Sequence, residues 1–133
     1  MGCYYMSEYD VVMEWFGKVA DDLQSADVLL GVNLTANSCY HAQQAGEKAL
    51  KAYLSLHTEE IPRTHILELL CAQCMESDAS FSEILQMASD LTEYAVRIRY
   101  PNTNNPTKQD AENAIQKASK IFMFVQERIP AQE

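Results

Sequence analysis

The stretch from residue 38 to residue 54 constrains the fold most strongly, because the apolar side of the helix it predicts is built from small residues. At 100° per residue, one side of that helix collects Ala42, Ala45, Gly46, Ala49, Leu50 and Tyr53. Small residues let a neighbouring helix approach to the short end of the usual spacing of about 8–10 Å. Gly46 lowers helix propensity by roughly 1 kcal/mol relative to alanine, so we expect tight packing to compensate. This stretch is predicted to be the helix on which the others pack.

Four further stretches carry apolar residues at helical spacing, and no alternation typical of a strand competes with them. Signals for helix ends separate the stretches: Gly31, Asn33, Pro62, Pro101 and Pro130. Candidate N-caps precede them: Asn37 or Ser38, Thr64, a Ser80–Glu83 capping box, and Thr107. The pattern predicts an all-α, up-and-down bundle of four to five helices. It assigns 1–8 to a lead-in, 9–129 to the bundle and 130–133 to a tail.

The same periodicity predicts which individual side chains are buried. On the first helix, Asp22 is predicted to lie on the polar side. The third helix is predicted to bury Ile66, Leu67, Leu69 and Leu70. On the last helix, Met123 and Phe124 fall outside the apolar stripe. Such residues indicate either a contact with a second copy or a local cover over the core.

Length, charge and hydropathy limit the class of protein. A chain of 133 residues is expected to form one domain. The net charge of −9 argues against a nucleic-acid coat protein, although a local basic site on an acidic body stays open. No apolar run approaches the roughly 20 residues that span a bilayer, so no membrane association is expected. Residues 1–8 lack the basic and apolar regions of a signal peptide, which predicts a cytoplasmic protein.

Two of the four cysteines have a spacing that occurs in metal and redox sites. The segment Cys71-Ala-Gln-Cys74 has no second cysteine pair and no βαβ context. Two cysteines three positions apart on a helix more often serve as small core residues. We therefore predict that both thiols are buried and that the protein has no metal site.

Arg99 is the most informative charged residue. It projects to the inward stripe of the fourth helix, where a guanidinium requires an acceptor, water or an anionic ligand. The alternative is that the helix frays before Pro101 and the side chain reaches water. Arg97 points the other way and is either functional or paired with Glu93 on the solvent side. Tyr100 could stack on a base or pack locally.

The polar side of the second helix provides a second group of candidates: His41, Gln44, Lys48 and Lys51. With Arg99 they could line a cleft that holds phosphates. In the alternative interpretation the lysines are solvated, and Glu47 and Lys51 form an ordinary pair one turn apart. His65, beside the proposed cap, is expected to hydrogen-bond the loop.

Several sequence blocks together resemble the HEPN (higher eukaryotes and prokaryotes nucleotide-binding) domain family. The blocks are Tyr40-His-Ala-Gln-Gln-Ala-Gly-Glu-Lys-Ala-Leu-Lys51, Arg63-Thr-His65, Arg99-Tyr-Pro101 and Ile121-Phe-Met-Phe-Val125. Their order and spacing extend the resemblance from about Trp15 to Ile129. The resemblance implies a helical bundle that is usually a homodimer. It also implies a partnership with a minimal nucleotidyltransferase, commonly as a toxin–antitoxin pair.

The resemblance also bears on catalysis. Many family members are ribonucleases in which an Arg is followed, after four to six other residues, by a His. Here Arg99 matches the Arg, but no histidine follows it or Arg97, and the nearby Asn102 cannot exchange a proton near neutral pH. We therefore expect a non-catalytic protein that binds its nucleotidyltransferase partner, or a nucleotide such as ATP or an RNA, without a permanent cofactor.

The candidate binding residues are Arg97, Arg99, Tyr100, Asn102, His41, Gln44, Lys48 and Lys51. Two alternatives to the binding function stay open. One is a ribonuclease toxin with an atypical active site in which another residue, such as His41, replaces the missing histidine. The other is a purely structural helical oligomer that binds no ligand.

Overall fold

Five α-helices and one 3₁₀ helix make up the fold in the computed structural model, which describes residues 7–97 and 105–131. The α-helices are α1 (Glu8–Gly31), α2 (Thr35–Leu54), α3 (Leu67–Ser77), α4 (Leu85–Arg97) and α5 (Lys108–Gln126). The 3₁₀ helix spans Ala79–Ile84, between α3 and α4. No β-strand occurs within these two ranges. The predicted all-α bundle is confirmed.

Helix α2 is the centre of the bundle and packs against each of the other four α-helices. The small residues on its apolar side are fully buried. A Cβ atom placed on Gly46 would lie 2.9 Å from Cδ2 of Leu67 in α3 and 2.9 Å from Cδ1 of Leu91 in α4. These distances are shorter than van der Waals contact, so a larger residue at this position would require the buried side chains of Leu67 and Leu91 to shift. The predicted role of this stretch is confirmed.

The predicted N-cap of α2 is wrong. The helix begins at Thr35 after a tight turn in which Asn33 has a φ of 63°, and Leu34 at the cap position makes no side-chain capping bond. Ser38 lies inside the helix and is buried, and its Oγ donates to the carbonyl oxygen of Ala26 in α1 at 2.8 Å. The hydroxyl thus joins two helices instead of starting one.

The predicted start of α3 is wrong as well. Thr64 Oγ1 accepts a hydrogen bond from the backbone N–H of Ile66 at 3.1 Å, but the helix begins only at Leu67. Its buried stripe is Leu67, Leu70, Cys71 and Cys74. Ile66 precedes the helix and Leu69 faces outward, and they are 42% and 54% exposed. Ile66 is outside the helix, and Leu69 lies about 200° around the helix from buried Leu67, so the two leucines cannot both face the core.

The start of α4 also differs from the prediction. Asp78, not a Ser80–Glu83 box, provides the cap, since its Oδ1 accepts from the backbone N–H of Ser80 at 2.9 Å. A 3₁₀ turn follows before α4 begins.

The predicted cap of α5 is confirmed: Thr107 Oγ1 accepts from the N–H of Asp110 at 3.0 Å, and Asp110 accepts from the N–H of Thr107 at 2.9 Å.

The end of α5 is attached to the 3₁₀ helix. The ring of Phe124 packs against the ring of Phe81 with centroids 5.0 Å apart, and the guanidinium of Arg128 lies 3.3 Å above Phe124. Nε of Arg128 donates to Oγ of Ser80 at 3.0 Å. Phe124 therefore covers the core locally, whereas Met123 is 59% exposed. For Met123 and Phe124 the sequence left two alternatives, a contact with a second copy or a local cover over the core. The local cover applies to Phe124.

Candidate functional site

Three of the eight predicted site residues lie outside the part of the chain that the structure describes, and a fourth is described only by its backbone. Arg99, Tyr100 and Asn102 fall between the two described ranges. Arg97 is the last residue of α4, and only its backbone is described. The roles predicted for these four residues therefore stay predictions.

The other predicted residues do lie together on one side of α2. His41, Gln44, Lys48 and Lys51 are spaced by three, four and three positions, which places them along one helical face. All four are partly buried. We call these four residues the α2 polar face. It is backed by two buried carboxylates, which belong to Asp22 and Glu47.

Asp22 of α1 holds the first pair of polar groups on this face. Its Oδ1 lies 2.9 Å from Nδ1 of His41, and its Oδ2 accepts from Nζ of Lys48 at 2.5 Å. Asp22 is only 7% exposed, so its predicted position on the solvent side is wrong. A buried carboxylate is stable only when it is paired, and here both oxygens are.

Glu47 holds the second pair. Its Oε2 accepts from Nζ of Lys51 at 3.1 Å, and its Oε1 lies 3.0 Å from Nδ1 of His65. Glu47 is 4% exposed, so its pairing with Lys51 is not the solvated surface contact of the alternative interpretation. His65 comes from the loop that precedes α3. It joins the site, although the sequence predicted for it only a hydrogen bond within the loop.

Two glutamines extend this second cluster. Nε2 of Gln43 donates to Oε1 of Glu47 at 3.3 Å and to the carbonyl oxygen of His65 at 3.1 Å. Nε2 of Gln44 donates to Oε1 of Gln43 at 2.8 Å. Gln43 is 1% exposed, so it connects the partly buried amide of the polar face to the buried carboxylate. The backbone of the loop at His65 is fixed by the same network.

The electrostatics of the face follow from these pairs. Two lysines balance two carboxylates, so the lysines do not form an uncompensated basic patch. Each histidine is bound to a carboxylate through Nδ1, which orients the ring and leaves Nε2 for another partner. The arrangement can present an oriented imidazole to a ligand, or transfer a proton, at two places along α2.

Sequence reasoning missed the three buried residues that organise the site: Asp22, Gln43 and Glu47. One signal was present in the sequence. His41 and Lys48 are seven positions apart and therefore face the same neighbouring helix, which indicates an acidic partner there. No such signal pointed to the contact between Glu47 and His65.

The cysteines are core residues, as predicted. Cys71 and Cys74 are fully buried, and their Sγ atoms contact the carbonyl oxygens of Phe81 and Leu50 at 3.3 and 3.9 Å. Burial raises the pKa of the Cys71 thiol to about 11 and raises the pKa of Cys74 as well. Among the residues described, no group of three or more His, Cys, Asp or Glu side chains is arranged to hold a metal ion.

Comparison with known proteins gives a consistent family assignment. The sequence model of the HEPN domain matches residues 12–129. A relative in Methanocaldococcus jannaschii, named "Putative toxin MJ1304", is 31% identical over 126 residues, which cover 83% of this chain and 82% of that protein.

Two solved structures have the same fold. TT1696 from Thermus thermophilus superimposes with a TM-score of 0.76 at 27% identity, covering 89% of this chain and 98% of the other. ST0689, described as an archaeal HEPN homologue, superimposes with a TM-score of 0.71 at 26% identity, covering 90% and 98%. As for a membrane span, none of the helices within 7–97 and 105–131 is both long and apolar enough to form one.

Proposed function

Because this chain belongs to the HEPN domain family, we propose that it is a homodimeric, non-catalytic protein that binds nucleotide or RNA and works beside a minimal nucleotidyltransferase as one half of a toxin–antitoxin pair. The binding site consists of the α2 polar face together with Arg97, Arg99, Tyr100 and Asn102. The name of the Methanocaldococcus relative supports the toxin–antitoxin setting. The protein acts in the cytoplasm.

One observation carries the binding function. His41, Gln44, Lys48 and Lys51 share one face, and the charged and imidazole groups on it are fixed by buried carboxylates. Side chains fixed before a ligand arrives lose little conformational entropy when it binds. Asp22 and Glu47 are buried, and the pairs that they form with this face compensate for the cost of removing them from water.

Thermal unfolding with and without ATP tests the binding function. A ligand that binds only the folded state must raise the melting temperature. We expect ATP to raise it for the wild type, and Arg99→Ala and Gln44→Ala to reduce that increase. Lys18→Ala, which removes an exposed cation from α1, is the matched control and should leave the increase unchanged. If neither ATP nor RNA changes the melting temperature, the structural oligomer becomes the better interpretation.

Two further measurements test the assembly. Light scattering at micromolar concentration should give the mass of a dimer, and a monomer would contradict the proposal. Co-expression with a small nucleotidyltransferase encoded beside this gene should yield a complex that survives gel filtration. Separate elution of the two proteins would remove the partnership and leave the nucleotide-binding function to be judged by thermal unfolding.

A ribonuclease with an atypical active site is the second candidate, and the His41–Asp22 contact favours it. A histidine oriented by a carboxylate through Nδ1 is suited to proton transfer at Nε2. Incubation with structured RNA separates the two candidates. Cleavage that disappears in both His41→Ala and Arg99→Ala would establish the ribonuclease, whereas intact RNA supports the binding protein.

A further inference from the structure

A groove of about 320 Å³ lies between the loop that precedes α3 and the last turns of α4. Its lining combines two basic side chains, Arg63 and His65, with two threonines, Thr64 and Thr92, and three apolar residues, Ile66, Ala95 and Val96. The volume is at the lower limit of pockets that hold small molecules, which are about 300–1,000 Å³. The groove lies beside the α2 polar face and shares the Glu47–His65 contact with it.

The imidazole of His65 is fixed although it is exposed to solvent. The side chain of His65 is 64% exposed, yet Nδ1 is bound to buried Glu47 at 3.0 Å, and its carbonyl oxygen accepts from Gln43 at 3.1 Å. When the ring is protonated, Nδ1–H donates to Glu47 and Nε2–H can donate to an anion. Lys51 also pairs with Glu47, so the carboxylate is neutralised from a second side.

Arg63 adds a cation that no other described residue uses. It is exposed, and within the described ranges no carboxylate pairs with it. A guanidinium binds phosphate oxygens through two parallel hydrogen bonds. Arg63 and His65 therefore place two basic side chains in the lining of a single groove.

The groove also presents aliphatic side chains to solvent. Ile66 is 42% exposed and Val96 is 45% exposed, and both line the groove. A groove lined by both basic and aliphatic side chains fits a ligand that combines an anionic group with a flat, largely apolar one. Nucleotides have this combination of a phosphate and a base.

We propose that this groove binds a nucleoside monophosphate, with the phosphate held by Arg63 and His65 and the base lying against Ile66 and Val96. The inference rests on the proposed nucleotide-binding function and deepens it by giving a defined site and ligand class. The small volume favours one nucleotide unit over a longer chain. Glu47 is a positioning residue, because it orients His65 without lining the groove.

A larger hollow between α1 and α2, of about 460 Å³, is a poorer candidate. It is lined by His41, but also by the acidic side chain of Asp21 and by Val28. The cation nearest to it in the network, Lys48, is already paired with Asp22. An anion would meet a carboxylate there and no unpaired cation among the residues that line the hollow.

Methyl NMR of the full-length protein, titrated with AMP at about pH 6.5, tests the groove. The methyl signals of Ile66 and Val96 should shift with AMP, whereas those of Val28, which is 60% exposed in the other hollow, should not. Inorganic phosphate alone should shift the ring signals of His65 and leave Val96 unchanged. If AMP does not shift the methyl signals of Val96, the proposed position of the base is wrong.

Variants test the phosphate contacts. Arg63→Ala should weaken AMP binding at least about 10-fold, because it removes a charged donor that has no structural partner among the described residues. Lys120→Ala, which removes an exposed cation from α5, should leave the affinity unchanged. His65→Gln should also lower the affinity, because it removes the ring nitrogen that contacts the phosphate. Equal affinity in wild type and Arg63→Ala overturns the site.

The two proposals fail in different ways. If ATP binding depends on Gln44 and Arg99 while Arg63→Ala has no effect, the groove is wrong and the proposed function stands. If AMP binds in the groove but no nucleotidyltransferase associates, the groove stands and the partnership is wrong. If no nucleotide shifts a methyl signal or the melting temperature, both the groove and the nucleotide-binding function are overturned.

Discussion

Nζ of Lys48 in α2 donates to Oδ2 of Asp22 in α1 at 2.5 Å, across 26 positions of sequence. The carboxylate is almost inaccessible, and its other oxygen contacts His41. This ion pair is therefore part of the packing contact between α1 and α2 and is not a solvent-exposed surface pair. Its removal should affect both stability and the orientation of the α2 polar face.

We expect Asp22→Ala to lower the free energy of unfolding by about 1–3 kcal/mol, because it leaves two partly buried basic groups without their acceptor. Urea unfolding followed by circular dichroism measures the change. Asp21→Ala is the matched control, since it removes an exposed carboxylate from the adjacent position and should stay within about 0.5 kcal/mol of the wild type. Equal effects of the two variants would mean that net charge, and not the pair, matters.

Gly46→Ala should destabilise the protein although it improves helix propensity. The new methyl group would approach Leu67 and Leu91 to 2.9 Å, and overpacking of a core costs about 1–3 kcal/mol against a propensity gain of about 1 kcal/mol. Gly17→Ala in α1 has nothing within 4 Å of the new atom and should stabilise by up to about 1 kcal/mol. Thermal unfolding of the two variants should shift in opposite directions, and a stabilised Gly46→Ala would refute the tight crossing.

The thiols of Cys71 and Cys74 should react slowly with a thiol reagent in the folded protein at about pH 8, because burial raises both pKa values and excludes the reagent. The measurement uses a Cys3→Ser background and the reaction with dithionitrobenzoate. Addition of denaturant should make the reaction fast. Since the unfolded thiols ionise at lower pH than the folded ones, stability should fall as the pH rises from about 9 towards 11. Fast labelling of the native protein would contradict this burial.

The contribution of Asp78 to stability should depend on pH and should be lost in acid. Hydrogen bonds from the hydroxyl and the backbone N–H of Ser80 lower the pKa of this carboxyl, and Arg128 acts in the same direction. The stabilisation is therefore present above the usual carboxyl pKa of about 3.9 and is lost as pH falls through the lowered value. The difference in melting temperature between wild type and Asp78→Asn should shrink between about pH 6 and pH 3. Glu76→Gln, an exposed neighbour, is the control and should show no such convergence.

The number of helices and the position of the central one could be predicted from the sequence, because both depend on spacing along a single segment. The stripe around Gly46 has helical periodicity over many residues, and the Thr107–Asp110 cap is a local motif. Local geometry was sufficient for these features. It was insufficient where a side chain had two uses, as for Ser38, which bonds to α1 instead of capping α2.

The candidate site was predictable only in part, for a physical reason. His41, Gln44, Lys48 and Lys51 were found because their spacing places them on one face. Asp22 and Glu47 were assigned to solvent, because both were placed opposite the apolar stripe of their helix and periodicity contains no information about partners on other segments. The link to His65 required the path of the loop before α3, which no repeat in the sequence specifies.

The side chains of two different helices meet over Gly46, where α2 has only a hydrogen atom. Neither α3 nor α4 can withdraw from this point without opening a void against the α2 backbone. The amide protons around Gly46 should therefore exchange with deuterium only when the whole bundle opens, at a rate set by global unfolding. Gly46, the residue that contributes least to the buried area, thus lies in the part of the bundle that is expected to unfold last.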